Sequence, residues 1–144
     1  MGSNLGDRRA HLEFAVYRLR SVLDDLRVSR FIETEPVGVS CAQPTFMNAA
    51  AVGLVVTSAR ALLDNLLAIE RERGRERPRA GAPRTLDLDL VLFGDRMIDE
   101  PGLVVPHPRF RERRFVLGPL VEIAPDLIDP GTGKTLRDLL EEIP

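Results

Sequence analysis

An α+β sandwich, with helices packed on a mostly antiparallel sheet, is the fold class this sequence predicts. Three observations carry the expectation. Some segments repeat apolar residues at helical spacing while others alternate with period two. The two kinds of segment interleave along the chain. A Gly94-Asp95 turn joins two extended stretches as a hairpin. With 144 residues there is room for one core and one domain.

Taken in order, residues 8–26 place Leu12, Ala15, Val16, Leu19, Val22, Leu23 and Leu26 on one helical stripe, with Asp7 as N-cap. Residues 28–34 read as a strand. Residues 35–45 hold two prolines, a glycine and small polar residues, the composition of a loop. Residues 46–56 are apolar and extended. Ser58 then caps a second helix whose buried stripe is Leu62, Leu63, Leu66, Leu67 and Ile69, with Gly74 as its stop. Residues 75–83 should be an irregular loop. Residues 84–93 form a strand, Gly94-Asp95 turns it, and Met97-Ile98 returns. A helix is expected over residues 112–122, turns over 126–133, and a Thr135-capped helix to Leu140. Gly131-Thr132-Gly133-Lys134-Thr135 does not make a phosphate-binding P-loop, because the motif's leading glycine would fall on Ile128 and no strand precedes it.

Composition narrows the class. Hydrophobic content of 44% and charged content of 29% are those of a globular protein, and a net charge of −2 offers no general attraction to nucleic acid. Lys134 is the only lysine; that bias towards Arg follows base composition as readily as chemistry. Cys41 stands alone, which excludes an internal disulfide and a Cys-based zinc site. No apolar run approaches the length of a membrane span and no signal-peptide core is present, so a cytoplasmic location is expected.

The most informative stretch is Arg84-Thr85-Leu86-Asp87-Leu88-Asp89-Leu90. Period two puts Asp87 and Asp89 on one face and the leucines on the other. Two carboxylates about 7 Å apart repel by roughly 2–3 kcal/mol at an effective dielectric of about 20. A divalent cation turns that repulsion into attraction, and Mg²⁺ is usually held by one or two carboxylates plus substrate phosphates. Six arginines lie between Arg71 and Arg84, a local source of phosphate-binding charge. Together these features point to phosphoryl-type transfer from a nucleotide.

Plainer readings stand beside these. An aspartate pair on a strand also fits a solvated face. Glu72 and Glu76 can pair with neighbouring arginines as a salt-bridged helix end, which covers Arg71 and Arg73 but not the arginines beyond Gly74. His107, between Pro106 and Pro108, also fits a structural role, and His11 a surface position. Phe46 and Phe115 also fit the core. Asn48 in an apolar strand is more telling, because a buried amide needs partners.

The strings Gly2-Ser3-Asn4-Leu5-Gly6-Asp7, Phe46-Met47-Asn48-Ala49-Ala50, residues 83–93, Val105-Pro106-His107-Pro108 and residues 115–125 occur in that order. In this the chain resembles the 6-hydroxymethyl-7,8-dihydropterin pyrophosphokinases of folate biosynthesis over nearly its whole length. The resemblance implies a ferredoxin-like α+β fold, ATP as co-substrate and two Mg²⁺ ions. It implies transfer of the β,γ-pyrophosphoryl unit of ATP to the pterin's hydroxymethyl oxygen, with release of AMP. Asp87 and Asp89 would hold both metal ions, and Arg75 and Arg84 would meet the transferring phosphates. Arg77, His107 and Arg113 match triphosphate contacts, Glu70 an acidic position near the nucleotide, and the backbone of Leu90 and Val104 an adenine site. Phe46 and Phe115 would sandwich the pterin, while Asn48, Thr34 and the backbone of Val37 would read its edge. The partners implied are ATP and a reduced pterin, taken by a monomer without nucleic acid or membrane.

The chain departs from the family in three places. Relatives carry an apolar strand of about six residues before Gly-Ser-Asn, where this sequence has only Met1; a trimmed or missing first strand is the expectation. In a ferredoxin-like order that strand is central, beside the strand that carries the aspartates. Ala80-Gly81-Ala82 stands where several relatives have a Trp, and Pro108 where some have a Tyr. Two other readings compete with the enzyme: a ferredoxin-like nucleotide-binding module without catalysis, and an inactive truncated form.

Overall fold

The computed structural model describes residues 1–34, 45–74 and 85–144. Its architecture is α+β, and every strand pairing among the described residues is antiparallel. Strand β1 (Gly2–Ser3) leads to helix α1 (Arg8–Leu19), followed by β2 (Asp24–Val28), β3 (Ile32–Thr34), β4 (Phe46–Asn48) and β5 (Ala51–Leu54). Helix α2 (Ala59–Glu72), the hairpin β6 (Ile98–Glu100) and β7 (Leu103–Val105), a short 3₁₀ turn Phe110–Glu112, and helices α3 (Arg114–Ile123) and α4 (Leu136–Glu142) complete the order.

The helix starts follow their capping side chains. Asp7 Oδ1 accepts from Ala10 N at 3.1 Å, Ser58 Oγ from Ala61 N at 3.1 Å, and Thr135 Oγ1 from Asp138 N at 3.1 Å. Gly74 closes α2 at φ +76°, its N–H returning to the Arg71 carbonyl at 2.9 Å.

Strand β1 is central: β4 pairs with it on one side, Gly2 opposite Asn48, and Asp87 bridges Gly2 on the other. Strand β3 flanks β4, so the local order is β3, β4, β1 and then the aspartate segment. Successive residues divide between two cores, as period two requires. Ala49 joins Leu12, Ala15, Leu19, Leu62, Leu66, Ile69, Leu86 and Leu88 beneath α1 and α2. Ala50 joins Phe110, Leu117, Leu120, Leu136 and Leu139 beneath α3 and α4. Fully burying one such leucine is worth roughly 1.5–3 kcal/mol.

Four sequence expectations are corrected. The first helix stops at Leu19 rather than residue 26: Ser21 Oγ caps the Arg18 carbonyl at 2.8 Å and Asp25 sits at φ +50°, outside helical geometry. Leu26 fits helical spacing but belongs to β2. The single strand over 28–34 is two strands, because Ser29 turns its N–H to the Ala50 carbonyl before β3 begins. Residues 84–93 do not form a strand ladder over their described part; an isolated bridge at Asp87 is what pairs them. The Ile98 strand does not return on that segment, since β6 pairs with β7 around Pro101-Gly102. The loop expectations at residues 35–44 and 75–83 lie outside the described residues.

Candidate active site

The aspartate segment keeps its predicted alternation without a ladder. Leu86 and Leu88 are buried, Asp87 is half-buried and Asp89 exposed. Three neighbours fix its backbone. Gly2 N donates to the Asp87 carbonyl at 2.9 Å, and Asp87 N to the Gly2 carbonyl at 2.8 Å. The next amide, Leu88 N, donates to Glu70 Oε2 at 2.7 Å. His107 N donates to the Val91 carbonyl at 2.9 Å, which docks the Pro106-His107-Pro108 turn against the same segment.

Mutual electrostatics show what this backbone gathers. Burial pushes the His107 imidazole below its ordinary pKa; Asp89 and Asp87 pull it up, and Arg113 and Arg109 push it down. One imidazole therefore feels both aspartates and two arginines. Its Nδ1 accepts from Arg109 N at 3.2 Å, so the neutral ring carries its proton on Nε2. The α-amino group of Met1, bonded to the Ala49 carbonyl at 2.9 Å, is lowered by burial and raised by Asp89, Asp87 and Glu70. Three carboxylates thus converge near the start of β1. Among the described residues no three His, Cys, Asp or Glu side chains form a self-sufficient metal cage. The hard oxygens of an aspartate pair suit Mg²⁺ that takes its other ligands from phosphates and water.

The residues expected at the pterin gather one strand away. Asn48 is 8% exposed, and its side-chain amide donates to the Thr34 hydroxyl across β3 and β4. Gly2 lies so close that a Cβ added there would meet Asn48 Oδ1 at 2.6 Å. Phe46 shares the Asn48 face of β4 and stands opposite Thr34. Arg8, from α1, ties down the neighbouring Thr45 with bonds of 2.8 Å to its carbonyl and its hydroxyl, and pairs with Glu33. Helix α3 packs against β4, bringing the element that carries Phe115 beside the one that carries Phe46. The Arg113 guanidinium lies 5.6 Å over the Phe115 ring. Ser3 Oγ is fully buried, with no hydrogen-bond partner among the described residues.

The remaining expected residues are spread more widely. Leu90 is packed between two apolar clusters, and Val104 is exposed in the middle of β7, opposite Asp99. Val37, Arg75, Arg77 and Arg84 lie outside the described residues. Glu70, expected at an acidic position near the nucleotide, is 2% exposed, and its Oε2 accepts from the Leu88 amide between the two aspartates.

Sequence reasoning missed three contacts. Glu72 pairs with Arg18 of α1. His11 is half-buried: its Nδ1 accepts from Arg73 Nε at 3.1 Å, and Arg73 also stacks 4.7 Å over Phe14. Asp129 is fully buried and grips Arg111. Only the last left a signal, an Asp ahead of Pro-Gly-Thr that forms an Asx-type turn through Gly131 N and Thr132 Oγ1.

The family model for 7,8-dihydro-6-hydroxymethylpterin-pyrophosphokinase matches residues 1–125. A 2-amino-4-hydroxy-6-hydroxymethyldihydropteridine pyrophosphokinase of Synechocystis sp. is 40% identical over 145 residues, covering 99% of this chain and 73% of the relative. Its counterpart from Pseudomonas aeruginosa is 39% identical, covering 100% of this chain and 89% of the relative. A folic acid synthesis protein of Pneumocystis carinii is 36% identical over 99% of this chain, which corresponds to 19% of that longer protein.

Proposed function

The chain belongs to the 7,8-dihydro-6-hydroxymethylpterin-pyrophosphokinase family, and from that premise we propose how its residues divide the work of the reaction. The reaction is transfer of pyrophosphate from ATP to the hydroxymethyl group of the reduced pterin, in folate synthesis. The pterin hydroxyl oxygen forms a bond to the β-phosphorus as the bond from that phosphorus to the α,β-bridging oxygen breaks. AMP carries away the bridging oxygen, and the hydroxyl proton passes to solvent.

Asp87 and Asp89 would hold two Mg²⁺ ions, which supply charge neutralisation for the triphosphate. The observation behind this role is the convergence of both carboxylates, Arg113 and Arg109 on one half-buried imidazole, His107. His107, through its Nε2–H, and Arg113 would bind the triphosphate, and Arg77 would share that role. Arg75 and Arg84 would offset charge on the transferred group. The backbone of Leu90 and Val104 would border adenine. Phe46 and Phe115 would sandwich the pterin ring, with Asn48, Thr34 and the Val37 backbone along its polar edge. The Asn48 amide held by Thr34 supports that last role, since its orientation is set before a ligand arrives. We propose a cytoplasmic monomer; no described helix is long and apolar enough to cross a membrane.

The test is AMP release from ATP, Mg²⁺ and the reduced pterin. AMP formed only when all three are present supports the assignment. Mg²⁺-dependent ATP binding without AMP would mark a binding module instead.

A further inference from the structure

The two aspartates are joined by the peptide units on either side of Leu88, and one side chain fixes the amide at their centre. In an extended segment successive N–H groups point to opposite edges. Asp87 N–H faces Gly2 and is bonded to it; Leu88 N–H faces the other edge. Among the described residues no strand pairs on that edge. The acceptor found there is Glu70 Oε2, at 2.7 Å, projecting from the last turns of α2. Glu70 is 2% exposed and Leu88 5%, so water does not compete for this bond.

We propose that Glu70 is a positioning residue: by holding the Leu88 amide it sets the relative aim of the Asp87 and Asp89 carboxylates. The inference rests on the reading of that pair as the Mg²⁺ site. At this amide Glu70 takes the place that a strand partner would take, and it does so with one side chain at the residue between the two ligands. Because α2 ends immediately afterwards at Gly74, the same carboxylate fixes the helix terminus relative to the aspartates. A carboxylate at this place also costs electrostatically, since Asp87 and Asp89 are close enough to act with it on the Met1 amine. A neutral amide would accept the same hydrogen bond without that repulsion, so reach and charge can be separated by substitution.

The experiment compares Glu70→Ala, Glu70→Gln and Glu70→Asp in the full chain, with two readouts. The first is hydrogen exchange at the Leu88 amide without ligands, against the Asp87 amide as internal reference. The second is the Mg²⁺ concentration giving half-maximal AMP formation, alongside pterin affinity measured without Mg²⁺. Glu70→Ala is expected to speed Leu88 exchange about 10–100-fold more than Asp87 exchange and to raise the Mg²⁺ requirement about tenfold, with pterin affinity changed less than about twofold. Glu70→Gln should recover most of both losses. Glu70→Asp, which keeps the charge but is one methylene short, should not.

A Glu70→Ala protein that folds, exchanges Leu88 rapidly and keeps its Mg²⁺ requirement within about twofold of the parent overturns the proposal. If Glu70→Ala does not fold, a Glu70→Asp protein matching the parent in both readouts overturns it instead. Asp87→Asn and Asp89→Asn separate the two failures. If neither moves the Mg²⁺ requirement, the metal reading has failed, while Leu88 exchange still reports on the Glu70 contact.

Discussion

Arg111 and Asp129 form a two-pronged ion pair, with Nε donating to Oδ2 at 2.6 Å and the guanidinium NH₂ to Oδ1 at 2.8 Å. Asp129 also accepts from Gly131 N and the Thr132 hydroxyl, so one buried carboxylate ties the 3₁₀ turn before α3 to the turn before α4. The Arg111 pairing holds its pKa at about 2, against 3.8 for an ordinary Asp.

A depressed carboxylate contributes stability that is complete above its unfolded value and is lost as pH falls through the folded value. The window runs from about pH 4 down to about pH 2, and the contribution is about 2 kcal/mol. Denaturant unfolding from pH 6 to pH 2 checks it: Asp129→Asn should start less stable and flatten the acid limb. Arg111→Ala should cost about 2–4 kcal/mol, because it leaves Asp129 buried and unpaired.

Glycine is required at position 2 by the approach of Asn48. Gly2→Ala puts a methyl group 2.6 Å from Asn48 Oδ1, and the amide must move. Steady-state kinetics should show the pterin KM rising at least about tenfold, with the ATP KM changed far less.

Thr34→Val keeps the volume of the residue and removes the acceptor that orients Asn48. Losing one such bond is worth about 1 kcal/mol, so pterin affinity should fall about fivefold. Asn48→Ala should cost more, and doing both should cost less than the sum of the two, which a double-mutant cycle reads directly.

Asp89→Ala and Asp87→Ala remove the proposed metal ligands at an exposed and a half-buried position. Turnover should fall by about three orders of magnitude or more, with pterin affinity in the absence of Mg²⁺ nearly intact. Near-normal turnover of either variant at saturating Mg²⁺ would sink the metal assignment.

His11 gives a second pH effect near neutrality. Burial and Arg73 hold its pKa below 6.5, and its Nδ1 accepts the Arg73 bonds, so protonation breaks them. The unfolded chain takes up the proton first. Stability contributed by neutral His11 is therefore present above about pH 6.5 and declines as pH falls towards its folded value. Asp7 and the Leu5 backbone oppose the shift without reversing it. His11→Gln, compared with the parent by thermal melts from pH 8 to pH 5, should be flatter over that window.

Local rules carried most of the fold. Asp7, Ser58 and Thr135 cap the helices expected of them because capping depends on residues within one turn. The alternation of Leu86, Asp87, Leu88 and Asp89 survives in their burial, although the ladder does not form. What was illegible depends on distant partners. Nothing local tells whether Leu26 ends a helix or begins a strand, and β5 decides it. Glu70 matches an acidic position near the nucleotide, and nothing local announces its bond to an amide 18 residues away. Among the site residues, Asn48 could be singled out because an amide within an apolar strand must find partners, and Thr34 supplies one. His11 carried no such mark, since its partner Arg73 is 62 residues distant.

Gly2 faces Asn48 on one flank and Asp87 on the other. The groups proposed to read the acceptor's ring and those proposed to manage phosphate are therefore spaced by the width of a single strand, about 4.8 Å on each side. That spacing is set by backbone pairing. On the proposed site, an alcohol whose hydroxyl sits one bond farther from its ring is expected to react more slowly than the hydroxymethyl pterin.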